Sequence, residues 1–168
     1  MSDRKRLEAA AYHEAGHAVV AWRQRVKVPR VTILHDDDSV AGAAHSRRPA
    51  FLSAASYDSL PKSAVEDHAL VCLAGAESEK RWTGRYNHVG ARSDVESAVA
   101  FLRMHAGSDE EVRAWMKLQQ VRTRQVVTNM WSEIAAAAKT LVERRAITHA
   151  QIAGIVDEFL RIEWPSSR

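Results

Sequence analysis

The feature that most constrains the fold is a stretch, residues 4–25, with no proline and one glycine, centred on His13-Glu14-Ala15-Gly16-His17. Leu7, Ala10, Ala11, Val19 and Trp22 recur at spacings that share one helical face, so the stretch predicts a helix. Residues four apart on a helix lie about one turn apart on the same face. Both imidazoles can therefore reach a single zinc ion at about 2.0–2.1 Å. Glu14 projects beside them, where its carboxylate can take a proton from an attacking water and later deliver it to a leaving amine. The pattern predicts a zinc metallopeptidase with His13 and His17 as ligands and Glu14 as the catalytic base. The competing reading is two packed or solvent-facing histidines. With eight histidines and twelve glutamates in 168 residues, the bare pattern arises by accident in roughly a few such chains in a hundred. Gly16 adds weight, because a glycine inside a helix costs about 1 kcal/mol relative to alanine. Its presence points to another backbone or a ligand close to that turn.

The length suits one domain spanning 1–168 with its own core. A net charge of +3, from 24 basic and 21 acidic residues spread along the chain, gives no reason to expect a nucleic-acid partner. The one cysteine, Cys72, lies in the apolar run Ala69-Leu70-Val71-Cys72-Leu73 and is expected to be a buried thiol in a reducing compartment. The N-terminal residues show no apolar signal region, and no run approaches the roughly 18–20 apolar residues that span a bilayer. The expectation is a soluble, cytoplasmic protein with no membrane contact.

The expected fold class is mainly α (α+β), a helical domain with a small β-hairpin or sheet between the first two helices. Pro29 closes the first helix, Val31 and Ile33 alternate with Thr32 and Leu34 as a strand, and a second strand is placed at Val40 to Ala44. Residues 47–60 read as a surface loop. Ser59 is placed as a cap for a helix with Pro61 in its first turn, running from Ala64 to Trp82 and stopped by Gly84. A third helix is expected over Asp94 to His105 with Ser93 as N-cap. Ser108-Asp109-Glu110-Glu111 opens one long helix towards Arg144, and Thr148 to Gln151 opens a last one reaching Arg161. Trp115, Met116, Val126, Val127, Met130 and Trp131 read as core or an oligomer interface.

A catalytic zinc needs a third protein ligand and an open position. Asp94, Glu77, Glu79, His68 and His88 are all candidates, and spacing does not choose among them. His88 is also a candidate for binding the transition-state oxyanion.

His13-Glu14-Ala15-Gly16-His17-Ala18 resembles the His-Glu-Ala-Gly-His-Ala motif of the peptidase domain of FtsH-type ATP-dependent zinc proteases. Further matches follow in order. Val31-Thr32-Ile33 resembles the family's first strand, and Leu73-Ala74-Gly75 with Glu79 its Leu-Ala-Gly-Arg-x-Ala-Glu-Glu helix. Gly90-Ala91-Arg92-Ser93-Asp94 resembles its Gly-Ala-x-Asn-Asp turn, and 138–144 its late helix. The resemblance implies Asp94 as the third zinc ligand, Glu79 as a carboxylate behind a ligand imidazole, and Ala41, Gly42 and Ala43 in an edge strand receiving extended substrate. Read without it, Asp94 is a carboxylate favouring a helix N-terminus and Glu79 a solvated surface residue.

The chain departs from the family in having Ser93 for asparagine, Lys80 for the second glutamate and His88-Val89 for Ser-Thr. It also shows no phosphate-binding Gly-x-x-x-x-Gly-Lys-Ser/Thr loop. The expected function is zinc-dependent hydrolysis of peptide bonds in flexible or unfolded segments of a protein or peptide substrate. The alternative is a zinc-containing, non-catalytic binding or regulatory module. A third expectation is a peptidase subunit acting with an ATPase partner in trans. Monomer or dimer is the default assembly.

Overall fold

The computed structural model describes residues 2–28, 30–33 and 53–163. Helix α1 (Asp3–Arg23) starts where Ser2 Oγ accepts from Lys5 N at 3.4 Å, with Asp3 in the first turn opposing the helix dipole. It ends two residues short of the predicted limit. Arg25 takes a left-handed φ of 57°, and Val26 N bonds Ala21 O at 2.9 Å, a backbone closure that buries Val26 beneath the last turn. Pro29, expected to close the helix, lies outside the described residues, as does the strand placed at Val40 to Ala44.

Strand β1 (Arg30–Thr32) follows α1 and pairs antiparallel with β2 (Ala146–Thr148), in the register Val31 opposite Ile147. Val31, Ile33 and Ile147 are buried, so this small sheet turns one apolar face to the core. The fold is mainly helical with this one two-stranded sheet among the described residues, β1 lying between the first two helices. The described partner of β1 comes from the far end of the chain.

Helix α2 (Lys62–Thr83) begins on Pro61, which stands at the N-cap rather than within the first turn. Ser59 therefore does not cap it. Gly84 ends it at φ 75°, a conformation in which a side chain is strained. Helix α3 (Arg92–Leu102) starts two residues earlier than predicted, from Ala91, which leaves Ser93 inside the first turn rather than capping it. There the Ser93 carbonyl accepts from Ser97 Oγ at 2.7 Å.

The long helix expected from Ser108 to Arg144 is two helices, α4 (Asp109–Asn129) and α5 (Trp131–Arg144). Met130 separates them at φ −107°, ψ 25°. Neither proline nor glycine causes the break. Packing does: α4 lies against α2 with Trp115, Met116 and Val127 buried, whereas α5 lies against α1 with Ile134, Ala137, Ala138 and Leu141 buried. One straight helix cannot serve both neighbours. The Ser108 cap is present, accepting from Glu111 N at 3.1 Å, while the Glu111 carboxylate reaches back to Gly107 N at 2.8 Å. Helix α6 (His149–Glu163) opens on the predicted box, with Gln151 Oε1 accepting from Thr148 N at 2.8 Å. No helix among the described residues is long and apolar enough to cross a membrane.

Helices α1 and α2 make the most extensive contact and approach closely at Gly16 and Gly75. A Cβ on Gly16 would stand 2.6 Å from the carbonyl oxygen of Ala74 and closer still to Ser78 Oγ. Beside this crossing Tyr12 is stacked between Trp82, at a ring-centroid distance of 5.2 Å, and Trp131, at 5.3 Å. One aromatic column thus ties α1 to both α2 and α5, with Arg81 laid over Trp131 at 4.7 Å.

Gly16→Ala is expected to destabilise the protein by about 1–3 kcal/mol in urea unfolding, because the added methyl meets backbone that cannot move aside. Intrinsic helix propensity alone has the opposite sign, favouring alanine by about 1 kcal/mol. A stabilised variant would mean that the helices do not approach this closely.

Candidate metal centre

The crossing of α1 and α2 brings His13 and His17 to the first turn of α3, where Asp94 meets them. The His13 Nε2 lies 3.0 Å from Asp94 Oδ2 and 3.1 Å from His17 Nε2, and His17 Nε2 lies 3.3 Å from the same Asp94 oxygen. Ligand atoms on a tetrahedral metal ion with bonds of about 2.0–2.2 Å stand about 3.3–3.6 Å apart. A few tenths of an ångström of opening would seat an ion among these three atoms, so the buried group His13, His17 and Asp94 could hold a metal.

The far nitrogens show why the near ones converge. His17 Nδ1 donates to the Val71 carbonyl at 2.7 Å, and a carbonyl can only accept, so Nδ1 carries a proton and Nε2 is the nitrogen turned inward. His13 Nδ1 is held in the same way by Glu79 Oε2 at 3.0 Å. A histidine fixed through its outer nitrogen by a carbonyl or a carboxylate is the usual support of a metal ligand. Glu79 is fixed in turn, its second oxygen accepting from Asn87 Nδ2 at 3.0 Å, while Asn87 Oδ1 accepts from Gly90 N at 3.0 Å.

Two inward ring nitrogens and a carboxylate oxygen converge within 3.3 Å, a cluster that favours positive charge. Burial works against a charged His13, but hydrogen bonds to Asp94 and Glu79 and the nearby Glu14 charge outweigh it, and the imidazolium pKa is raised to about 10. Burial would also raise Asp94, yet His17 and His13 hold it well below the usual carboxylate range. Such a site takes a cation, either a proton or a metal ion.

Asp94 stands in the first turn of α3, as its helix-terminus role requires, but with 4% exposure it is no solvated cap. Glu79 is buried against His13, not on a solvated surface. Glu14 is 3% exposed, with its charge acting on His13. The approach to the cluster runs past His13, whose side chain is 13% exposed against 1% for His17.

The other third-ligand candidates go elsewhere. His68 bonds the Ala64 carbonyl and the Tyr57 hydroxyl and packs on Phe101. Glu77 faces Lys80 at 3.9 Å, and His88 is exposed with its ring edge on Tyr86. Ala41, Gly42 and Ala43 lie outside the described residues. Sequence reasoning missed three parts of the site. Gly75 leaves the space the imidazoles occupy, since a Cβ there would stand 2.7 Å from His13 Nε2 and nearer to His17 Nε2. The Val71 carbonyl carries no side-chain signal. Asn87 had one: an asparagine three residues before a glycine favours a turn closed by its own side chain.

Elemental analysis is expected to find about one metal ion per chain in the wild type and none in His17→Ala or Asp94→Ala. Glu79→Ala should weaken metal binding about 10- to 100-fold without abolishing it. Gly75→Ala should also lower the metal content, although it alters no ligand. Full metal in Asp94→Ala would remove Asp94 from the site.

No protein-family model matches this chain, and no curated protein matches it in sequence, so what bears on its function is the chemistry of the site itself.

Proposed function

We propose that the protein is a zinc metallopeptidase of the FtsH type, hydrolysing peptide bonds in flexible or unfolded protein segments. The observation that carries this reading is the joint placement of four residues. His13 and His17 present Nε2 atoms to Asp94 Oδ2 within 3.3 Å, and Glu14 is buried one residue from His13 on the same helix. Two imidazoles and one carboxylate suit zinc and leave one position of a tetrahedron open, the donor set of catalytic rather than structural zinc sites.

His13, His17 and Asp94 would hold the ion. Bound there, zinc supplies Lewis acidity towards a peptide carbonyl and towards water. Glu79 and the Val71 carbonyl keep the two imidazoles in the tautomers that leave Nε2 unprotonated for the metal. Glu14 accepts the proton of the attacking water and delivers it to the departing amine nitrogen, so the base is regenerated as the C–N bond breaks. The narrow approach beside His13 favours extended chain over folded surfaces. Buried Cys72 on α2 suits a reducing compartment, and we place the protein in the cytoplasm.

Glu14→Gln keeps the shape of the site but removes the base. It should retain the metal and cleave an unfolded polypeptide at least about 100-fold more slowly than the wild type. Cleavage by the wild type should stop with a chelator and return with zinc. Undiminished cleavage by Glu14→Gln would sink the mechanism, and a zinc-loaded wild type that leaves unfolded substrates intact would favour a binding module.

A further inference from the structure

A cleft of about 640 Å³ between α2, α3 and α4 lies apart from the metal group. Leu73, Glu77 and Lys80 line it from one face of α2, whereas Val71, Gly75 and Glu79, which meet the two imidazoles, recur along the opposite face of that helix. We infer that this cleft is a docking site for an extended protein segment in which acidic side chains alternate with apolar ones. The inference goes beyond the peptidase reading and does not depend on it.

Charge is unevenly spread on α4. Between Val112 and Asn129 the helix holds four basic residues and no acidic one. Arg122 turns to Glu66 at 3.2 Å. Arg113, Lys117 and Arg124 share another face with Gln120 at helical spacing; all three are exposed and make no ion pair among the described residues. Gln120 and Arg124 form the α4 wall of the cleft, so this basic ridge runs along its edge. Like charges one turn apart repel, and a helix face that is merely solvated normally mixes the two signs. The facing walls add Lys80 from α2 and Arg92 from α3. Glu77 lies 3.9 Å from Lys80 and Glu96 3.0 Å from Arg92, which leaves the three ridge cations as an excess for an acidic ligand to neutralise.

Shape and polarity narrow the ligand further. Leu73, Ala91 and Val95 supply apolar lining, and the Tyr86 ring, packed on His88 at a centroid distance of 4.8 Å, adds to it. The connector that carries Tyr86 is fixed before any ligand arrives, because Asn87 donates to Glu79 Oε1 and accepts from Gly90 N. A preformed wall costs less to order on binding. From Arg113 to Arg124 the ridge is about 16 Å long at helical rise, the span of about five extended residues. Alternate side chains of an extended segment point to opposite sides, so one stretch can turn acids to the ridge and apolar groups to Leu73 and Val95. A nucleic-acid backbone fits less well, since its phosphates would meet Glu77 and Glu96 and it brings no aliphatic side chain to the lining.

The probe is a fluorescent peptide of about eight residues alternating glutamate and leucine, read by anisotropy with a chelator present so that the metal centre takes no part. It should bind with a Kd in about the micromolar range at low salt and weaken as salt rises. Reversing two ridge charges in Lys117→Glu/Arg124→Glu should weaken binding at least about tenfold. Lys139→Glu/Arg161→Glu, which makes the same change in net charge at exposed positions of α5 and α6, should stay within about twofold of the wild type. Serine in place of the probe's leucines should cost at least about tenfold. Equal loss in the two double variants would mean attraction by net charge alone, and undiminished binding of the serine peptide would remove the apolar lining from the site; either result overturns the docking site, as does a wild type that binds no peptide. Tighter binding of a single-stranded RNA of the same charge would overturn it in favour of a nucleic-acid interface.

Discussion

Everything in this structure depends on the crossing of α1 over α2, where two helices approach until backbone meets backbone. Gly16 on one side and Gly75 on the other make it geometrically allowed, because a methyl at either position would overlap Ala74 O, Ser78 or the imidazoles of His13 and His17. The same approach brings the Val71 carbonyl to His17 and the Glu79 carboxylate to His13. Packing and site chemistry are therefore one feature, and the space usually filled by side chains at a helix crossing is here given to two imidazoles.

The rest of the fold keeps that crossing in place. The Trp82–Tyr12–Trp131 column closes one flank of α1, and the short sheet joining residues near 30 to residues near 147 ties the C-terminal third of the chain to the end of α1. The bend at Met130 lets α4 cover α2 and α5 cover α1. Burying a carboxylate and two imidazoles together carries a desolvation cost, which the hydrogen bonds that His13 and His17 make to Glu79 and the Val71 carbonyl offset by satisfying the outer ring nitrogens. What stays unbalanced is the centre, where three electron-rich atoms converge on a point suited to a cation.

The first helix, its two histidines, the Gly84 stop and the caps at Ser108 and Thr148 were legible because each is a local signal, decided within a turn or two of chain. The alternation of Val31, Thr32 and Ile33 announced a strand but not its partner. Pairing with Ala146–Thr148 joins residues more than a hundred positions apart, and a three-residue strand has too short a pattern to name its neighbour. The break at Met130 was hidden because residues 108–144 hold no proline or glycine, and the bend is imposed by two packing partners lying in different directions.

At the site, the sequence alone determined the pair of imidazoles on one helical face and the carboxylate next to His13, since a four-residue spacing on a helix leaves no other geometry. It singled out Asp94 as a candidate third ligand only through a resemblance; five acidic or histidine side chains were otherwise equal. Tertiary structure decided among them by burial and direction, turning His68 to Tyr57 and Glu77 to Lys80 while carrying Asp94 to 3.0 Å from His13. It alone revealed Gly75, Val71 and Asn87, whose parts are an absent side chain, a backbone carbonyl and a turn. None of these acts through its neighbours in sequence. Each matters only because another helix passes within a few ångströms, which is information carried by packing.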